Sequence, residues 1–172
     1  MNAAPTLHAS AVLVGAHALL IRGPAGSGKS RLVLGLIQAA AGGRLVFARL
    51  VADDRVHIEV VHGRLIARPP ASLAGLLEVR GLGIQQLQYE PMAVISWVVD
   101  LDVAAPPRLP DAAEAQTDVA GVPIRRLAVG PGRDPLPLVL AAIAGRPWRQ
   151  GANCQGVRGH VDDVSRPKPV AL

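Results

Sequence analysis

Eight consecutive residues, Gly23-Pro24-Ala25-Gly26-Ser27-Gly28-Lys29-Ser30, follow the spacing Gly, four residues, Gly, Lys, then Ser or Thr. That spacing suits phosphate chemistry. Glycines let the backbone turn its N–H groups onto an anion, and the start of a following helix adds positive potential at the same point. Lys29 supplies a full charge for the β- and γ-phosphates of a nucleotide, and the Ser30 hydroxyl can join the shell of a Mg²⁺ ion. Asp53 and Asp54 follow Ser30 by 23 and 24 residues, a separation suited to an acidic group that faces a phosphate loop across a parallel sheet. On an extended chain adjacent carboxylates point in opposite directions, so one would reach a metal ion while the other meets a reacting hydroxyl.

The elements around these residues are legible from periodicity. Residues 11–14 and 18–21 are short apolar runs separated by Gly15-Ala16-His17, which predicts two strands, the second feeding the glycine-rich loop. Leu32, Val33, Leu36, Ile37 and Ala40 repeat at helical spacing, so Lys29–Ala41 is predicted to be a helix that stops at Gly42-Gly43. Residues 45–52 read as a buried strand emerging at Asp53-Asp54, and Val56–Val61 with residues 64–67 as a hairpin turning at His62-Gly63. Further along, the pattern predicts a short helix at 71–77, a loop at Gly81 and Gly83, a strand at 94–101, an exposed connection over 104–118, a strand at 122–129 and a helix at 136–144. These readings give an α/β phosphate-loop fold with a largely parallel or mixed sheet, flanking helices and an added β-hairpin. Residues 1–149 form the expected domain, and 150–172, polar and without periodicity, the expected disordered tail.

Composition removes several function classes. The 172 residues carry a formal charge of +5, but residues 1–145 hold 13 basic and 11 acidic side chains, so the expected folded part is nearly balanced. The aromatics Phe47, Tyr89, Trp97 and Trp148 are scattered. Neither a basic face nor a stacking surface for nucleic acid is indicated. Cys154 is the single cysteine, which excludes a disulfide framework and a cysteine-held metal. No apolar run approaches the ~20 residues of a spanning helix, and the opening residues lack a basic-then-apolar leader, so no membrane partner and a cytoplasmic location are expected. A guanine-specific Asn-Lys-x-Asp loop is absent, since the only lysine besides Lys29 is Lys168.

Val51-Ala52-Asp53-Asp54-Arg55 and the run Leu77-Glu78-Val79-Arg80-Gly81-Leu82-Gly83-Ile84 together make the chain resemble the catalytic domain of the bacterial HPr kinase/phosphorylase family, from His8 to about Ala144. The second run matches that family's signature. The resemblance implies an ATP- and Mg²⁺-dependent enzyme that phosphorylates a serine of the phosphocarrier protein HPr. It also implies removal of that phosphate by phosphorolysis, with inorganic phosphate entering and pyrophosphate leaving, in regulation of the phosphotransferase system and carbon metabolism. Carried over by position, His8, Lys29, Asp54, Asp53 and Arg108 resemble catalytic residues, and Ser30, Glu78 and Asp53 resemble Mg²⁺ contacts. Asp54 resembles the acid–base residue, with the roles of Asp53 and Asp54 not fully separated. Gly130, Pro131, Gly132 and Arg133 resemble a loop linked to phosphorolysis, although Gly130 stands where a basic residue is frequent, which implies weakened phosphorolysis. With only seven residues before His8, the chain is similar to the truncated forms of Arg-rich alphaproteobacterial genomes, and a hexamer is implied by the resemblance. Two other readings stay open on the residues alone. One is an ATP-sensing regulatory module without transfer activity, the other a small-molecule kinase with the same loop.

Overall fold

Alternation of apolar residues with turn signals builds most of this molecule from strands. The computed structural model describes residues 6–145. In chain order its elements are β1 (Thr6–Leu7), β2 (Ser10–Val14), β3 (His17–Arg22), α1 (Lys29–Ala41), β4 (Ala48–Ala52), β5 (Val56–Val61), β6 (Arg64–Arg68), β7 (Leu76–Val79), β8 (Gly83–Gln86), β9 (Ala93–Asp100), β10 (Gln116–Val119), β11 (Val122–Ala128) and α2 (Pro135–Ala144). The expected tail from 150 lies outside the described residues.

Strand β9 organises the sheet. Along one edge it runs parallel to β3, with Arg22 opposite Asp100. Along the other, its first residues pair antiparallel with β6 and its last four parallel with β11. Because one edge is divided between two partners, the nine-stranded sheet curls, in the order β1-β5-β6-β9-β3-β2-β4 with the β10–β11 hairpin branching from β9. Of the expected largely parallel or mixed sheet, the mixed form is the one found: among the described strand pairings of this sheet only β3–β9 and β9–β11 are parallel. Two-residue turns join β2 to β3, β5 to β6 and β10 to β11, and turns that short can connect only antiparallel neighbours. Nor does Asp53 face the glycine-rich loop across parallel neighbours, since β2 lies antiparallel between β3 and β4.

The two faces of the sheet are covered differently. Leu32, Val33 and Leu36 of α1 and Val139 of α2 pack against Val12, Val14, Leu19, Ile21 and Leu50. Full burial of each such side chain contributes roughly 1.5–3 kcal/mol. Helix α2 starts under a cap, with the Asp134 carboxylate accepting from Leu136 N and Pro135 in the first turn. The opposite face, with Ala11, Ala18, Leu20, Val51, Ala67 and Val98, carries no helix residue and is closed by the curl of the sheet itself. Helices therefore cover one face rather than flanking the sheet.

Two local expectations are also corrected. The predicted helix at 71–77 is a single 3₁₀ turn over Ala71–Leu73, followed by β7. Leu77 is fully buried while Glu78 is exposed, the period of a strand rather than a helix. Gly83, expected in a loop, opens β8, which pairs with β7 in a separate two-stranded hairpin. Within the connection expected over 104–118, Gln116–Val119 form β10.

Candidate active site

The glycine-rich segment joins the end of β3 to the first turn of α1. Its path requires glycine at two points. A Cβ on Gly23 would stand 2.7 Å from Ser27 Oγ and 3.0 Å from Leu101 Cβ, and Gly28 enters the helix with φ of 95°. No side chain caps α1, so its first-turn amides, which have no intrahelical acceptors, are left to a ligand. Ser27 Oγ is buried without a hydrogen-bond partner. An anion in the loop fits both features.

Lys29 is buried, and its Nζ donates to Gly23 O at 2.9 Å and Pro24 O at 3.0 Å while lying 3.1 Å from His8 Nε2. Burial lowers its pKa from the ordinary 10.5, against the opposing pull of the Asp53 and Asp54 charges. An ammonium at this position donates, so Nε2 of His8 accepts and the ring proton resides on Nδ1. That Nδ1 lies 3.1 Å from Asp54 O and 3.2 Å from Asp54 Oδ1. His8, between β1 and β2, thus spans from Lys29 to Asp54.

The two aspartates occupy different surroundings. A register shift between Ala11 and Val12 pairs Ala11 with Ala52 but Val12 with Leu50, leaving Val51 as an extra residue in β4. Val51 and Ala52 consequently both face the helix-free core, and Asp53 turns to the α1 side instead of away from it. Asp53 is 5% exposed. It accepts from Ser10 Oγ at 2.5 Å, from Ser30 Oγ at 2.9 and 3.0 Å, and from Glu78 N at 3.4 Å. Asp54 adopts a left-handed φ of 63° and leaves its side chain 64% exposed. The extended-chain alternation expected for this pair is corrected by that turn: both carboxylates line the same cleft.

This cleft measures about 530 Å³. Ala25, Gly26, Ser27, Gly28, Lys29 and Ser30 form its floor, and His8, the two aspartates, Glu78, Val79 and Arg80 its walls. Gly81, Leu82 and Gly83 carry the hairpin onward and do not line it. No group of three or more His, Cys, Asp or Glu is gathered as a metal cage among the described residues. The oxygen donors Ser30, Asp53 and Glu78 instead suit a hard cation that keeps waters and phosphate oxygens as its remaining ligands. A smaller hollow of about 320 Å³, lined by Leu13, Ile66, Met92 and Val94 among others, has no ionisable lining residue.

Arg108 and the 130–133 segment are placed elsewhere. Both lie on loops that follow the carboxyl ends of β9 and β11, the same end of the sheet as the glycine-rich loop after β3, and the two loops touch where a Cβ on Gly130 would stand 3.2 Å from Pro106 Cγ. Neither loop lines the cleft, and Arg108 is exposed. Sequence reading missed Ser10, whose only signal is a lone hydroxyl beside an apolar run. It also missed the cluster in which Asp100 accepts from Arg22 Nε and Nη2 at 2.7 and 2.9 Å and from Arg126 Nε at 2.6 Å. Burial acts to raise the Asp100 pKa, but the two guanidinium groups outweigh it and hold the carboxyl below 3.8.

Comparison with known proteins places this geometry in context. The family model for the HPr Serine kinase C-terminal domain matches residues 1–151. The HPr kinase/phosphorylase of Clostridium tetani is 34% identical over 167 residues, covering 88% of this chain and 51% of that protein. That of Clostridium novyi is 34% identical over 166 residues with the same coverages, and that of Clostridium beijerinckii 45% identical over 78 residues, covering 45% of this chain and 24% of the relative. The chain spans about half the length of the Clostridium tetani and Clostridium novyi relatives. The Hpr(Ser) kinase/phosphatase from Coxiella burnetii has a similar fold, with a TM-score of 0.65 over 81% of this chain and 88% of that one, at 22% identity.

Proposed function

This chain belongs to the HPr serine kinase C-terminal domain family, and from that membership we propose that it transfers the γ-phosphoryl group of ATP to a serine hydroxyl of HPr. The observation that carries the reading is the gathering of Lys29, His8, Asp54, Asp53 and Ser30 in one cleft around an uncapped helix start.

In this reading each residue takes a task that its surroundings favour. The first-turn amides of α1 and the Ser27 hydroxyl hold phosphate oxygens, and Lys29 exchanges the Gly23 and Pro24 carbonyls for the terminal phosphates. Asp54, exposed and in contact with His8, is free to accept the proton of the incoming serine, whereas the oxygens of Asp53 are already engaged by two hydroxyls and an amide. A Mg²⁺ ion would be held by Ser30, Asp53 and Glu78 and would supply charge neutralisation at the phosphates. Catalysis is then positioning and electrostatics, with no covalent intermediate on the protein. Run in reverse, the same site takes inorganic phosphate and Asp54 returns its proton to the departing serine oxygen, with pyrophosphate as the product. The hexamer and cytoplasmic setting of the resemblance belong to the same proposal. Among the described residues no helix is long and apolar enough to cross a membrane.

ATP binding without transfer is the second reading, favoured by the position of Arg108 outside the cleft. Intact-mass analysis of HPr incubated with this protein, ATP and Mg²⁺ separates the two: one added phosphoryl group supports the kinase, and unmodified HPr with ATP bound to the protein supports the sensor.

A further inference from the structure

We propose that Ser10 is a positioning residue that locks the Asp53 carboxylate onto Ser30 and thereby sets how tightly the cleft takes a divalent cation together with its nucleotide. The inference rests on the phosphate-binding reading of the glycine-rich loop given above.

Ser10 is fully buried at the start of β2, on the face that also carries Val12 and Val14 toward α1. A polar side chain buried there needs a partner. Its partner is Asp53 Oδ1 at 2.5 Å, the shortest of the contacts to that carboxylate. Two independent features of β2 therefore serve one aspartate. The register shift at Ala11 and Val12 turns Asp53 to the α1 side, and the Ser10 hydroxyl holds it once there.

The division of protons makes Ser10 more than a packing contact. Ser30 lies within reach of both Asp53 oxygens, at 3.0 and 2.9 Å, but its hydroxyl has one proton to give. Ser10 gives a second, which fixes the carboxylate plane without using Ser30. Asp53 also has no basic side chain within ion-pair distance among the described residues, so the groups that contact its carboxylate directly are hydroxyls and an amide. A carboxylate held in that way is oriented for a cation, and residues that orient such groups typically change metal affinity about 10–100-fold when removed.

The test is calorimetric titration of ATP into the protein with and without Mg²⁺, which needs no HPr and no turnover. In the wild type Mg²⁺ is expected to tighten ATP binding. In Ser10→Ala the Mg²⁺-dependent gain should fall about 10-fold while binding of ATP alone stays within about twofold, and Ser10→Thr, which keeps the hydroxyl, should retain the gain. In an Asp53→Asn background Ser10→Ala should have no further effect on the gain, because Ser10 acts through that carboxylate. A purely structural Ser10 would lower the melting temperature and leave the Mg²⁺-dependent gain intact, which overturns the proposal. Should Ser10→Ala not fold, Ser10→Cys, of similar size but a weak donor, takes its place with the same expected loss. A wild-type protein that binds no ATP overturns the phosphate-site reading itself, a result separable from failure of the Ser10 inference.

Discussion

Nε2 of His8 lies 3.1 Å from Nζ of Lys29, and the other nitrogen of the same ring lies 3.2 Å from the Asp54 carboxylate. One imidazole therefore ties the Lys29 ammonium to the Asp54 carboxylate, the two groups proposed to meet the phosphates and the serine proton. Replacing Lys29 by Met removes a charged hydrogen-bond donor worth about 1.5–3 kcal/mol, so ATP affinity should fall about 10- to 150-fold and transfer with it. Isothermal titration of ATP into Lys29→Met checks the first part.

Lys29 also makes a stability prediction whose sign can be worked out. Its folded pKa lies below 10.5, so between the folded and unfolded values the unfolded chain binds more protons, and stability from this group rises with pH across that window. The penalty of burying the charge is present below the folded pKa and is relieved as pH approaches 10.5. The melting temperature of wild type relative to Lys29→Met should therefore climb on the alkaline side toward that pH, and a difference independent of pH would show that burial does not perturb Lys29.

Asp53 and Asp54 are expected to fail differently. Asp54→Asn should reduce transfer about 10²- to 10⁴-fold, the usual contribution of a general base, and leave Mg²⁺·ATP binding nearly unchanged. Asp53→Asn should weaken Mg²⁺·ATP binding itself. Single-turnover assays beside calorimetry distinguish the two, and equal effects of both variants on binding would remove the assignment.

Beneath the glycine-rich loop, Asp100 joins Arg22 and Arg126 with side-chain exposures of 13% and 27% for acid and bases. Asp100→Ala leaves two partly buried guanidinium groups unpaired, at a cost of about 2 kcal/mol, less than the ~3–5 of a fully buried pair because water still reaches them. Since the folded pKa of Asp100 lies below 3.8, its stabilising share is present above that value and lost as pH falls through the folded pKa. Acid unfolding curves below about pH 4 should be shallower in Asp100→Asn.

Gly23→Ala is expected to cost ATP binding without touching any charged group. The added methyl would stand 2.7 Å from Ser27 Oγ and 3.0 Å from Leu101 Cβ, so the loop must shift to admit it. ATP affinity measured beside the melting temperature reads both consequences, and an unchanged affinity would show that the loop tolerates the shift.

Local chemistry was legible in the sequence, and long-range pairing was not. Helix Lys29–Ala41 and hairpin Val56–Val61 with β6 follow from periodicity and turn residues within a short window. The segment after Pro70 misled because Leu73, Leu76 and Leu77 fit a helical face as readily as a strand, and only pairing with β8 decides between them. The extra residue at Val51 reverses the direction of Asp53, yet it arises from the match of β2 to β4 across the sheet, which no local pattern reports. For the same reason the Arg22, Asp100 and Arg126 cluster had no sequence signal, since its members come from three strands aligned in register.

The most direct test of the central claim is intact-mass spectrometry of HPr after incubation with this protein, ATP and Mg²⁺, with Asp54→Asn in parallel. The expected result is one phosphoryl group on a serine of HPr with wild type and almost none with Asp54→Asn, reversed with pyrophosphate release when inorganic phosphate is added. Unmodified HPr in the presence of an ATP-loaded wild-type protein would contradict the kinase assignment and leave the cleft as a nucleotide sensor.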